Sequence, residues 1–293
     1  MNKKLLNLAV VVGSMLLAPL ALADAMRVLT SLPVTHGLGS ALLQGTEVQI
    51  VRATPANLPA SRQISYFSGR GAGALEKAAS SADAVIALRS LWPDDPLYPM
   101  ARRSNIRIVE VDAARPVDGA LPGIALRSEG GDVLAQQPWL SINNLGRMAD
   151  VMAADLARLS PDDAVQIASN LADIKQRLLT LSATSESRLA ELDNLSVASL
   201  SPGFDYLTSS LNLDVIELPE RERGEEPVAL EPIQSALEDN EVRLVLSDRP
   251  VDDALRAVLQ EAGTHLLVID GEAGDPVQAL ADAVEQIISG LKP

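Results

Sequence analysis

Short apolar runs alternate with helix-spaced patterns along the first part of the chain. Arg27-Val28-Leu29, Val48-Gln49-Ile50-Val51, Ala84-Val85-Ile86-Ala87-Leu88 and Ile106-Arg107-Ile108-Val109-Glu110-Val111 predict strands. Gly37 to Leu43 and Ala74 to Ser81 predict helices between them. The last part repeats the scheme. Its strand candidates are Ser196 to Leu200, Leu213 to Leu218, Val242 to Leu246 and Leu266 to Ile269. Its helix candidates are Pro232 to Glu238, Val251 to Ala262 and Pro276 to Leu291. Strands alternating with helices imply a mainly parallel sheet with helices on its faces. The middle is different. Leu145, Met148, Met152, Leu156 and Leu159 recur at three- and four-residue steps, as do Ile167, Leu171, Ile174, Leu178 and Leu181. Ser160-Pro161 between the two series is a helix-start signal and predicts a break or kink. The fold class expected is α/β: two Rossmann-like lobes joined by a long, rigid helical linker. The expected boundaries are residues 24–140, 141–192 and 193–293.

Residues 1–23 read as a secretory signal. Lys3 and Lys4 precede the apolar stretch Leu5 to Leu20, and Ala21-Leu22-Ala23 has the small-x-small form of a cleavage site. An uncleaved membrane anchor is the alternative, but the apolar stretch is short for a span. The chain has no cysteine. Disulfides, thiolate metal sites, cysteine nucleophiles and a lipid-bearing cysteine are therefore excluded. The expected location is the periplasm, free of a lipid anchor. The 39 Asp and Glu outnumber the 24 Lys and Arg, giving a formal net charge of −15. Nucleic acid and anionic membrane surfaces favour the opposite charge. There is no phosphate-binding loop, nucleophile elbow or zinc-hydrolase pattern, so an enzyme is not expected.

Several segments, in order and at fitting distances, carry a resemblance. Ala82-Asp83-Ala84-Val85-Ile86 looks like a strand start, Gln137-Pro138-Trp139-Leu140-Ser141 like the entry to a linker helix. Asn170-Leu171, Gly224-Glu225-Glu226-Pro227 and Leu266-Leu267-Val268-Ile269-Asp270 follow. Together they resemble the periplasmic metal-binding proteins that serve zinc, manganese and iron ABC importers. The resemblance extends to binding proteins found with siderophore-recycling importers, such as the pyoverdine system. It implies an inner-membrane permease as partner and, in ordinary members, an ion held by three histidines and a carboxylate.

Carried over by position, the histidines fall near Phe67, on Gln137 and near Ser201, and the carboxylate is Asp270. Phenylalanine cannot coordinate, and neutral serine and glutamine oxygens are weak ligands for zinc or manganese. The chain has two histidines, His36 and His265. Either could supply a ligand if the positional match is shifted, yet both together leave a three-histidine site unbuilt. No metal or cofactor is therefore assigned, with Asp270 the one retained ligand position.

Five of the aromatics, Tyr66, Phe67, Trp139, Phe204 and Tyr206, fall near the inferred ligand positions. Trp139 and Tyr206 also read as core residues. Gly69-Arg70-Gly71-Ala72-Gly73 opens a helix and could receive an anion, with Arg249 facing it, although such a run is also an ordinary turn. The expected cleft set is Tyr66, Phe67, Arg70, Gln137, Trp139, Ser201, Phe204, Arg249 and Asp270. It suggests a metal chelate or siderophore as ligand in place of a bare ion. The alternative is an accessory protein that docks on a paralogous metal-binding protein or on the transporter. Asp94-Asp95, Asp162-Asp163 and Asp252-Asp253 read as helix caps. The charged stretch Glu220 to Glu226 reads as a solvated loop or an accessory cation site.

Overall fold

The computed structural model describes residues 25–117, 121–126, 133–219, 230–269 and 274–292. The signal segment, the stretch from Glu220 to Glu226 and Asp270 lie outside the described residues. Strands β1 (Arg27–Thr30), β2 (Gln49–Arg52), β3 (Ala84–Ala87) and β4 (Val109–Asp112) form a parallel sheet in the order β2-β1-β3-β4. Strands β5 (Ser196–Ser199), β6 (Asp214–Ile216), β7 (Leu244–Ser247) and β8 (His265–Val268) form a second, in the equivalent order β6-β5-β7-β8. All six strand pairings are parallel.

The helices are α1 (Pro33–Leu42), α2 (Gln63–Ser68), α3 (Ala72–Ser80), α4 (Leu97–Ser104), α5 (Val133–Gln136) and α6 (Ile142–Leu159). After them come α7 (Ala164–Leu189), α8 (Asp205–Ser210), α9 (Glu231–Asp239), α10 (Asp253–Glu261) and α11 (Pro276–Gly290).

Side-chain alternation along the strands sorts the core into three parts. Val28 and Ile86 of the first sheet, and Val197 and Leu246 of the second, share one apolar cluster with helices α1, α6, α7 and α11. Their neighbours Leu29 and Val85 point the other way, into an outer core with Phe67, Leu75 and Leu97. Ala198 and Val245 do the same on the second sheet, against Ile233, Leu237 and Leu259. The central strands β3 and β7 are buried throughout, as strands covered on both faces must be. One continuous core therefore runs through both lobes.

The linker is a helical pair that reverses at Ser160. The 3-10 turn Pro161–Asp163 separates α6 from α7. Ser160 does not cap a backbone N–H; its hydroxyl donates to Asp163 Oδ2 at 2.7 Å. The 26-residue α7 then runs back along α6. Lys175 Nζ lies 2.9 Å from Asp150 Oδ1, and Leu178 packs on Gly146.

Helix α7 is fastened to both lobes. Asn170 Nδ2 donates to the carbonyls of Leu42 and Gln44, each at 2.8 Å, which satisfies the end of α1. Arg177 pairs with Asp275 at 2.8 Å, while Asp275 also accepts the N–H groups of Val277 and Gln278 and so caps α11. Arg188 pairs with Glu285 further along. A helix held at both ends limits hinge motion to small displacements. Asp252 caps α10 through the Leu255 N–H, and Asp95 accepts those of Leu88 and Leu97.

Candidate functional site

In each sheet the strand order reverses direction beside its first strand, between β1 and β3 and between β5 and β7. Ligand crevices in open parallel sheets form at the carboxyl ends of strands at such points. A cavity of about 140 Å³ lies at this level between the lobes. Leu32, Pro33 and Val34 line it from the β1–α1 turn, and Gln137, Trp139 and Leu140 from the entry to α6. The second lobe adds Ile269, Pro276, Ala279 and Ala283. Gln137 alone among these has a polar side chain with hydrogen-bonding groups to offer beyond an indole N–H.

Gln137 and Trp139 are thus brought together at the cavity. Gln137 adopts the left-handed conformation, with φ of 47° and ψ of 60°. Backbone strain of this kind costs about 1–3 kcal/mol and persists only where the surroundings impose it. Gly203 leaves room for the Gln137 amide: a Cβ on Gly203 would sit 2.8 Å from Gln137 Nε2 and 3.1 Å from the Ala135 carbonyl. The side chain of Gln137 therefore lies against the second lobe. Pro138–Leu140 form a 3-10 turn that presents the indole of Trp139 to the cavity wall.

Two matching serine turns end β5 and β7 in the second lobe, and none of their residues is among those that line the cavity. After β5, Ser199 Oγ donates to the Ser201 carbonyl at 2.7 Å; after β7, Ser247 Oγ donates to the Arg249 carbonyl at 2.7 Å. Such turns replace a ladder bond with a side-chain bond and end the strand. They bring Ser201 and Asp248 together across the switch point. Ser201 Oγ donates to Asp248 Oδ1 at 2.7 Å, and Arg249 Nε lies 3.7 Å from the same oxygen. Asp248 has no counterpart among the residues expected from sequence. Its one signal is its place directly after a buried strand.

The other expected residues lie elsewhere. Phe67 is 3% exposed and packs in the outer core of the first lobe, and Phe204 is 2% exposed in the shared core. Neither lines the cavity. Tyr66 packs against Phe67 in a tilted arrangement, 58° between ring planes and 5.5 Å between centroids, and the Arg70 guanidinium sits over the Tyr66 ring at 5.5 Å. Gly71 is beneath that ring, where a Cβ would come within 2.3 Å of Tyr66 Cε1. Ring packing, without any anion, accounts for this glycine. Asp270, one residue beyond Ile269, lies outside the described residues.

Several polar groups of the first lobe are engaged in the fold, whereas the buried Ser31 Oγ and Gln63 Oε1 have no hydrogen-bond partner. Gln63, also missed in the sequence, is fully buried, and its Nε2 donates to the Ser31 carbonyl at 3.2 Å beside the Thr54 hydroxyl at 2.7 Å. His36 Nδ1 lies 3.0 Å from Thr30 Oγ1. Burial, and then the charge of Arg52, hold the His36 pKa below the ordinary histidine value, so the ring is neutral at neutral pH. Burial raises the Asp95 carboxyl, against the N–H groups of Leu97 and Leu88. Burial likewise raises Glu110, opposed by Arg89 at 3.2 Å.

His265 opens β8 at the end of the sheet away from the crevice. Among the described residues, no three His, Cys, Asp or Glu side chains are grouped so as to hold a metal ion. A neutral amide, a serine already bonded to Asp248 and an aliphatic wall do not fit a bare zinc or manganese ion.

Residues 77–290 match the family described as zinc-uptake complex component A, periplasmic. The chain belongs to this family. Solved structures share its fold. The crystal structure of ZnuA is 22% identical, with a TM-score of 0.67 over 92% of this chain and 100% of the other. A mutant of FpvC from Pseudomonas aeruginosa is 21% identical, with a TM-score of 0.69 over 91% and 99%. The laminin-binding protein Lbp of Streptococcus pyogenes is 15% identical, with a TM-score of 0.65 over 92% and 100%. No curated protein matches the chain by sequence. The zinc-uptake family is one of periplasmic solute-binding proteins that work with ABC permeases. Among the described residues, no helix is long and apolar enough to cross a membrane.

Proposed function

We propose that this family member binds a metal already held in an organic chelate, of the siderophore type, and delivers it to an inner-membrane ABC permease. The observation that supports this reading is the mainly aliphatic lining of the crevice, together with the lack, among the described residues, of three grouped His, Cys, Asp or Glu side chains. A chelated metal brings its own ligands and asks the protein only for surface and hydrogen bonds. Trp139 supplies a stacking face and Gln137 an amide at the cavity, while the Ser201–Asp248–Arg249 group, outside the cavity lining, offers a polar edge. Tyr66 and Arg70 add an outer aromatic–cation pair. The protein reaches the periplasm through a cleaved signal, carries no lipid and performs no catalysis.

The size of the cavity favours a second reading. Pockets that enclose an organic ligand span about 300–1,000 Å³, and this one is well below that. A chelate must then rest across the crevice mouth. Failing that, the chain is an accessory that docks on a paralogous metal-binding protein or the transporter.

Tryptophan fluorescence decides between them. In a Trp92→Phe background Trp139 is the only tryptophan. Ferric chelates should change its emission saturably, whereas zinc and manganese salts should not. No response to any ferric chelate or free siderophore would remove the ligand-binding reading, and capture of a paralogous binding protein would then support the accessory one.

A further inference from the structure

The cavity beside Trp139 has the size and lining of a receptor for one small uncharged ring. We infer that it takes a single aromatic ring of the ligand, of phenol or benzene size, while the charged part stays outside. The inference rests on the reading that the crevice binds an organic ligand, and it names the part that enters.

Four observations carry it. First, the volume is about 140 Å³. Apolar protein cavities of roughly 150 Å³ stay dry and accept benzene or xenon. Second, none of the described residues that line the cavity carries an ionisable side chain. A charged group entering it would lose its hydration without gaining a partner. Third, the walls are fixed from both sides. A Cβ on Gly37 would lie 2.3 Å from the Gly274 carbonyl oxygen and 2.8 Å from Pro276 Cδ, so α1 is in direct contact with the start of α11. On the other flank a Cβ on Gly203 would lie 2.8 Å from Gln137 Nε2 and 3.1 Å from the Ala135 carbonyl oxygen. A chamber framed by Pro33, Pro276 and these two contacts keeps its shape without a ligand. Fourth, the Trp139 indole gives one wall a π-face, and the Gln137 amide offers a hydrogen bond to a ring hydroxyl.

The test uses the intact protein with phenol, benzene and benzoate as probes. Phenol and benzene should bind saturably, one per chain, and raise the melting temperature. Benzoate should bind at least tenfold more weakly than phenol. Ala279→Leu fills the cavity from helix α11 and should weaken phenol binding at least tenfold. Crystals under xenon should show one xenon atom beside Trp139, which keeps the test decisive if Ala279→Leu does not fold. Absent phenol and benzene binding, equal binding of benzoate, or an empty cavity under xenon would overturn the inference. A ferric chelate that still quenches Trp139 in that case leaves the proposed function standing and removes only the inserted ring.

Discussion

Phe204→Ala should lower the stability of the protein by about 3–5 kcal/mol, the usual loss for a fully buried phenylalanine. The ring is 2% exposed and packs in the cluster that joins both lobes, so its removal leaves a void that neither sheet can close alone. Urea unfolding monitored by circular dichroism measures the loss directly. A change below about 1 kcal/mol would mean that the ring is free to face the crevice. The backbone around it supports the core role. Phe204 ends the 3-10 turn Pro202–Phe204 and leads into α8, and its carbonyl accepts the Thr208 hydroxyl at 3.0 Å. Chelate titrations of the variant, where it folds, should resemble those of the parent.

Gly37→Val is the second large effect. The added Cβ would meet the Gly274 carbonyl oxygen at 2.3 Å, and a backbone atom cannot swing away as the end of a side chain can. Helix α1 must then part from the start of α11. Overpacking of this kind costs about 1–3 kcal/mol, and the β-branched side chain places the effect toward the upper end. The displacement also separates two walls of the cavity. A lowered melting temperature together with loss of phenol binding is the expected result. Gly73→Ala is the matched control: no atom lies within 4 Å of its added Cβ, and alanine is the better helix former by about 1 kcal/mol. It should be neutral or stabilising. Equal melting temperatures for Gly37→Val and the parent would show that the lobes are not in contact there.

Much of the fold is legible in the pattern of apolar positions. The eight strands of the described residues overlap the eight expected runs: β3 and β7, covered on both faces, are buried and largely apolar throughout, while the edge strands β2, β4, β6 and β8 are partly exposed. The break at Ser160 is visible as well, since proline after serine stops one helix and starts another. What it does not reveal is that the second helix runs back along the first, because periodicity carries no direction. Helices α2, α4 and α8 escape notice because they span six to eight residues, and α2 and α8 lack a side-chain cap. Their stability comes from packing.

The site is only partly legible. Trp139 and Gln137 are found at the cavity because they occupy the linker entry, a junction that any two-lobed arrangement places between the sheets. Phe67 is misplaced by spacing alone. Position along the chain says that it is near the crevice, while its face of α2 turns it into the outer core. The glycines of Gly69 to Gly73 suggest a ligand, yet Gly71 makes room for the Tyr66 ring. Asp248 and Gln63 were missed because each depends on pairing across the sheet, Asp248 with Ser201 and Gln63 with the Ser31 carbonyl. No local motif announces such a pairing.

The proposed function requires that this zinc-uptake family member no longer binds a bare ion. Calorimetric titration of the purified protein with zinc tests it most directly, on the parent and on Gln137→His. The prediction is no stoichiometric binding to either, since one imidazole beside an aliphatic wall does not complete a zinc site. A tight one-to-one zinc complex with the parent protein would contradict the account.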